Sequence, residues 1–414
     1  MKKQILFVDD EPNLLQGLQR MLRPMRQEWD MHFADNGPMA LALLDETPCD
    51  VIVSDMRMPG MDGAALLAEV RQRHPVAVRL ILSGHSDRDM ILRAIGPTHQ
   101  FLTKPCDPEI LKNTVSRACM LRDLLPDTAL TQMVTGIKTL PSIPAVYQQV
   151  VEAAQTPESS LDTIGQMITS DLGMTAKTLQ LVQSAFFGLQ RHLCNPTQAV
   201  ALLGLDTIQA LVLTAHVFSY VDAATMGGLS LETLWDHSMA VGTCARHVMQ
   251  SEISDPAVLD ETFTAGLLHD VGSLILTTHL PDAYTQAQTE AAATAKPIWE
   301  VERSVLGATH AQVGAYLMGL WGLSDAIIEA LAYHHDPAAS PSQTLCPLSA
   351  VHIADVLVHE IEPRPTAPRP HSLDRDYLEQ LGLFDRLPVS REQCRAALLE
   401  RNVQRRTAGV DSHA

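Results

Sequence analysis

The first 125 residues alternate short apolar runs with amphipathic stretches. The runs Ile5–Val8, Met31–Ala34, Val51–Ser54, Arg79–Ser83 and Gln100–Thr103 read as strands. Between them, Pro12–Met25, Pro38–Leu44, Ala64–Arg73, Arg88–Ile95 and Pro108–Leu124 carry helical periodicity. Repeated strand–helix order predicts an α/β domain: a doubly wound, five-stranded parallel sheet with helices on both faces. From Ala145 on, strand signals fade. Val146/Val150/Val151, Ile164/Met167/Ile168, Leu179/Val182 and Ile208/Leu211/Val212 recur at helical spacing, so an all-helical second domain is expected. Pro126 interrupts any helix that would run between the two. The boundaries read as 1–124 for the first domain, 125–137 for a linker, 138–403 for the helical domain and 404–414 for a frayed tail. Within the helical domain, Glu362–Pro370 is Pro-rich and reads as a surface loop.

Composition narrows the function classes. With 414 residues, more than one core is expected. The formal net charge of -18 argues against broad binding to nucleic acid or anionic membrane. Seven cysteines without a CxxC pair fit free thiols in a reducing cytoplasm. The apolar start is cut by Asp9 and Asp10, so it does not read as a secretory signal. Asp206, Gln209 and His216 interrupt the apolar region Ala199–Phe218, which favours a buried helix pair over a membrane span. No basic helix-turn-helix stands out, so direct DNA binding is not expected.

Candidate chemistry gathers first at one edge of the predicted sheet. Asp9 and Asp10 follow the first strand, Asp55 the third, Ser83 ends the fourth and Lys104 follows the fifth. The carboxyl ends of parallel strands are where open α/β folds bind ligands. Any one of these residues is an ordinary cap or loop residue; together they form a set. Clustered carboxylates favour a hard cation such as Mg²⁺. Such a cation would shield attack by Asp55 on a phosphoryl group, with Lys104 and Ser83 meeting phosphate oxygens.

These residues resemble the receiver domain of two-component response regulators. The motifs are Asp9-Asp10-Glu11, Asp55 within Asp-Met-Arg-Met-Pro-Gly-Met-Asp-Gly, Ser83-Gly84 and Phe101-Leu-Thr-Lys-Pro105. The resemblance implies that a sensor histidine kinase phosphorylates Asp55. It further implies that Asp10, Asp55 and the Arg57 carbonyl hold Mg²⁺ with help from Asp9. Ser83 and Phe101 would be the switch pair, and the peptide before Pro105 would be cis.

A second constellation runs through the helical region: His237, His269-Asp270, His310, His334-His335 and Asp355. A carboxylate on an apolar helix is costly unless it is paired or metal-bound. Imidazole plus carboxylate suits Fe, Mn or another transition metal. Facing helices are also how bundles build such centres. His192, His216, His279 and His352 read instead as structural, hydrogen-bonded residues. The ligand order is similar to that of the HD superfamily of metal-dependent phosphohydrolases. Its HD-GYP branch, which cleaves cyclic di-GMP, has Gly-Tyr-Pro where His335 is followed by Asp-Pro, and a lysine at Ser273. The closer resemblance is to the HDOD family, an HD-related output domain. It is carried by Leu140-Pro-Ser-Ile-Pro144, Ile168–Gly173, Lys177–Gly188, Ala199–Gly204, Gly266-Leu-Leu-His-Asp-Val-Gly272 and His310–Leu317. That resemblance implies a signalling output that binds an unknown protein partner without catalysis. Two alternatives stay open: a metal-dependent phosphodiesterase acting on a cyclic dinucleotide, and a pocket that binds a nucleotide second messenger without cleaving it. A homodimer through the receiver is also compatible.

Overall fold

The computed structural model describes residues 2–411 except 85–93, 95–96, 126, 138, 143–145, 147–148, 151, 154–159, 183–194, 204–218, 221–229 and 364–371. The expected helix Arg88–Ile95, the Gln183–Gly188 stretch and the histidines at 192 and 216 fall largely or wholly outside those residues. So does most of the Pro-rich loop.

Strands β1 (Lys3–Val8), β2 (Trp29–Ala34), β3 (Val51–Asp55), β4 (Val78–Ser83) and β5 (Gln100–Thr103) form one sheet in the order β2-β1-β3-β4-β5. Every pairing is parallel. The central strands are apolar because both faces are covered: Ile5 to Val8 and Val51 to Val53 are essentially inaccessible. Helices α1 (Pro12–Met21), α2 (Gly37–Glu46), α3 (Gly63–Arg73) and α4 (Pro108–Leu121) connect and cover them. Asn36, Asp62 and Asp107 cap α2, α3 and α4 through their side chains. The first helix is shorter than its periodicity suggests. It stops at Met21 and the chain continues as a 3₁₀ turn, Arg23–Gln27, that accommodates Pro24.

Past the linker helix α5 (Thr128–Thr135) the chain is helical: α6 (Leu161–Thr169), α7 (Leu172–Val182), α8 (Pro196–Leu203), α9 (Leu231–Gln250), α10 (Pro256–Leu268), α11 (Val271–His279), α12 (Pro281–Thr294), α13 (Ile298–Leu306), α14 (His310–Leu320), α15 (Asp325–Tyr333), α16 (Pro347–Ile361), α17 (Arg375–Gln380) and α18 (Leu387–Asp411). Two departures from the sequence reading appear. Pro141–Ser142 and Ser219–Tyr220 pair as short parallel strands, β6 and β7, too brief to leave a period-2 signal. Helix α18 runs on to Asp411, through the stretch from Gln404 that was expected to be a frayed tail.

The two domains touch through defined contacts. Gln100 of β5 donates to the Gly319 carbonyl at 2.9 Å. Arg117 of α4 pairs with Asp325 at 3.0 Å. Leu121 packs so close to Gly319 that a β-carbon there would meet it at 2.5 Å. Arg79, buried in β4, donates to the carbonyls of Ala77 and Pro97 at 2.9 and 2.6 Å, and to that of Thr135 in α5 at 3.1 Å. Burial lowers its pKa to about 9.

Candidate functional site

At the carboxyl edge of the sheet, β1 and β3 run in register, with Val8 opposite Ser54. Asp9 therefore emerges beside Asp55, which is itself the last residue of β3 rather than the first after it. Both are buried. Lys104, just past β5, reaches across to both: its Nζ lies 2.7 Å from Asp9 Oδ2 and also pairs with Asp55 Oδ1. The Asp55 Oδ2 atom accepts from the Arg57 N–H at 2.9 Å. Burial raises the Asp55 carboxyl above its ordinary value, against the Lys104 ion pair that pulls it down. Burial works against the Lys104 charge, yet its hydrogen bonds to Asp55 and Asp9 win and its pKa is raised. Asp10 is half-buried on the same loop. Ser83 ends β4, inaccessible, in register with Thr103; Phe101, also buried, lies opposite Ile81 on the same strand pair. The Lys104–Pro105 peptide is cis. Hard carboxylate oxygens beside one lysine are a donor set that fits Mg²⁺ together with a phosphoryl group.

In the helical domain all seven expected residues come together. His237 sits on α9, His269 ends α10, Asp270 precedes α11, His310 opens α14, His334-His335 follow α15 and Asp355 lies on α16. Glycines let these helices approach. Gly242 of α9 and Gly266 of α10 face one another too closely for a side chain on either, and Gly272 of α11 lies against the His310 carbonyl. The donors fall into two groups, His237/His269/Asp355 and Asp270/His310/His334/His335, each with its ligand atoms within 4.8 Å of one another. Asp270 stands between them. Its Oδ1 is 3.2 Å from His310 Nε2 and 3.9 Å from His334 Nε2. Its Oδ2 is 3.4 Å from His269 Nε2 and 3.9 Å from His237 Nε2. Asp355 Oδ1 lies 3.0 Å from His237 Nε2.

The imidazoles are oriented from behind. His269 and His334 donate from Nδ1 to the carbonyls of Gly266 and Leu331, each at 2.8 Å. That fixes the tautomer and turns the Nε2 lone pairs inward. The Nε2 atoms of His269 and His334 are buried and make no hydrogen bond among the described residues. Buried polar atoms in that condition are expected to have a ligand. Burial lowers the pKa of His237 and of His334, whereas at His310 the Glu302 and Asp270 carboxylates outweigh burial and raise it. The nitrogen-rich donor set, with a carboxylate in each group, is of a chemistry that suits Fe, Mn or a similar ion.

Two residues of this centre escaped the sequence reading. Glu302 of α13, without exposed surface, accepts from both the backbone N–H and the Nδ1–H of His310. His359 of α16 donates from Nδ1 to the Asp355 carbonyl at 2.9 Å, and its ring centre is 4.6 Å from that of His237. A signal existed for His359, which stands one helical turn beyond Asp355. None existed for Glu302. Burial and the nearby Glu302 carboxylate raise the Tyr284 hydroxyl, and Ser273 lies in the same polar group behind His310. His352 is structural, as expected: it donates to the His334 carbonyl at 2.7 Å and accepts from the Asp374 N–H.

Known proteins bear on both sites. The family model for the response regulator receiver domain matches residues 5–116, and that for the HDOD domain matches residues 140–337. An uncharacterized protein of Treponema pallidum is 23% identical over 253 residues, 60% of this chain and 48% of that one. The hydrogenase transcriptional regulatory protein HoxA of Cupriavidus necator is 35% identical over 125 residues, 30% of this chain and 25% of that one. This chain thus spans about half or less of the length of these relatives. The crystal structure of the MmoQ response regulator from Methylococcus capsulatus is 20% identical, covering 62% of this chain and 98% of that one at a TM-score of 0.47. Among the described residues no helix is long and apolar enough to cross a membrane. The chain carries a response regulator receiver domain followed by an HDOD domain.

Proposed function

We propose that a sensor histidine kinase phosphorylates Asp55 with Mg²⁺ in the acidic pocket, and that the HDOD domain is a metal-binding output under that control. The observation that supports the output reading is the position of Asp270, whose two oxygens serve two separate groups of buried ligands. His237, His269 and Asp355 would hold one ion; His310, His334 and His335 would hold the other. Bound there, such ions would supply Lewis acidity. The chain's own residues do the positioning: Gly266, Leu331 and Glu302 hold the imidazoles in place, and burial keeps water away from their Nδ1 sides. Metal analysis of anaerobically purified full-length protein tests this. Two equivalents are expected, falling in His269→Ala and Asp270→Ala; a metal-free protein overturns it. For the receiver, Mg²⁺-dependent, acid-labile labelling by acetyl phosphate is expected and is lost in Asp55→Asn. Labelling that survives that change places the phosphate elsewhere.

A second reading is hydrolysis of a phosphodiester such as cyclic di-GMP. It is favoured by the 20% exposure of the Asp270 side chain and the half-buried His335, which open the centre to solvent. Turnover by metal-loaded protein would support it. Metal-loaded protein without turnover leaves signalling through a bound protein partner.

A further inference from the structure

Helices α14 and α15 form an antiparallel hairpin whose two ends have different neighbours. The closed end, around the turn Trp321–Ser324, rests on the receiver. Gly319 accepts from Gln100 of β5 and is packed by Leu121 of α4. Asp325, the first residue of α15, pairs with Arg117 of α4. Gly322 adopts a left-handed φ of 84° with the Gln100 side chain against it. One turn along α14, Tyr316 shares a hydrogen bond with Thr135 of the linker helix at 2.9 Å.

The open end lies roughly 15 Å away, the length of an 11-residue helix. It carries His310, the first residue of α14, and His334-His335, which follow α15. Those are three of the four residues in one ligand group, with Asp270 the fourth. The other group draws on α9, α10 and α16, which make none of these receiver contacts.

The receiver end of the hairpin touches β5, the strand that leads to the lysine paired with Asp55. Gln100 is the neighbour of Phe101 on β5, and Lys104, paired with Asp55, follows the same strand. A packed helix transmits displacement because its interior is close to incompressible.

We propose that phosphorylation of Asp55 changes the affinity of the Asp270/His310/His334/His335 group for its ion through the α14–α15 hairpin, and leaves the His237/His269/Asp355 group unchanged. This rests on the two-ion reading of the HDOD centre and names its control. Linkage makes the effect reciprocal: the ion in that group alters binding at Asp55 by the same factor.

The test is titration of the full-length protein with Mn²⁺, with Mg²⁺ in excess to fill the receiver, in the presence and absence of beryllofluoride as the acyl phosphate analogue. Two Mn²⁺ sites are expected, of which one shifts about tenfold on beryllofluoride addition. His310→Ala should remove the shifting site and keep the other. Gln100→Ala combined with Arg117→Ala should keep both sites and abolish the shift. The apparent affinity for beryllofluoride should move by the same factor on Mn²⁺ loading. Two sites with unchanged affinities overturn the coupling while leaving the metal centre standing. A shift confined to the His237 group, or one that survives in the double variant, overturns the hairpin as its route. Absence of Mn²⁺ binding overturns the centre and the coupling together.

Discussion

Glu302 takes two hydrogen bonds from His310, one from its backbone N–H at 2.8 Å and one from its Nδ1–H at 2.7 Å. A carboxylate can only accept, so the ring is held with Nε2 toward Asp270. Glu302→Ala should therefore lower metal affinity of the His310 group by about 10–100-fold, as loss of an orienting partner does. The His237 group should keep its ion. Metal titration resolves the two, and an unchanged His310-group affinity would show that Glu302 has no positioning role.

Arg79 tests the neck between the domains. Its guanidinium serves carbonyls of both the receiver and the linker helix. Arg79→Met would leave the carbonyls of Ala77, Pro97 and Thr135 without this donor and should destabilise the protein by about 1–3 kcal/mol, the scale for leaving buried polar groups unsatisfied. Urea unfolding followed by circular dichroism measures it.

Lys177 of α7 is buried, its ammonium 5.1 Å from the centre of the Trp321 ring. Burial lowers its pKa from 10.5 to about 7. Between those two values the unfolded chain carries the proton and the folded chain does not, so stability rises with pH across that window. Below it the cost of discharging or burying the ammonium is constant. The melting temperature of Lys177→Met should lack the upward trend between about pH 7 and 10 that the unsubstituted chain shows.

Gly272 lies against the backbone of His310. Gly272→Val should push α11 away from α14 and separate Asp270 from His310. Metal content should fall while receiver labelling by acetyl phosphate persists, since the close neighbours of Gly272 are His310 and Gly314 and not the receiver. Equal loss of both would mean that the variant unfolds the whole chain.

The receiver was legible in the sequence because its chemistry is local. Each reactive residue sits at or just beyond the end of a strand, and parallel registration then brings Asp9, Asp55 and Lys104 together whatever the details of the helices. The histidine and aspartate series was legible as a set because its members recur in apolar surroundings, on helices or at their ends, where a polar residue needs a reason. Glu302 was not, because α13 is amphipathic and a glutamate there reads as a solvated position; only the fold turns it toward His310. Arg79 was hidden for the opposite reason, as one polar residue in an otherwise apolar strand whose partners at Pro97 and Thr135 are set by tertiary packing. The continuation of α18 to Asp411 had no apolar stripe in its last turns to announce it.

The hairpin contact also has a bearing on association. Gln100, Arg117 and Leu121 line one flank of the receiver, and in this arrangement that flank is occupied by the chain's own Gly319 and Asp325. A second receiver, or any other protein that docks on β5 and α4, competes with an intramolecular partner tethered at high effective concentration. Any self-association through that flank would therefore require release of the output domain, and dilution would favour the closed monomer.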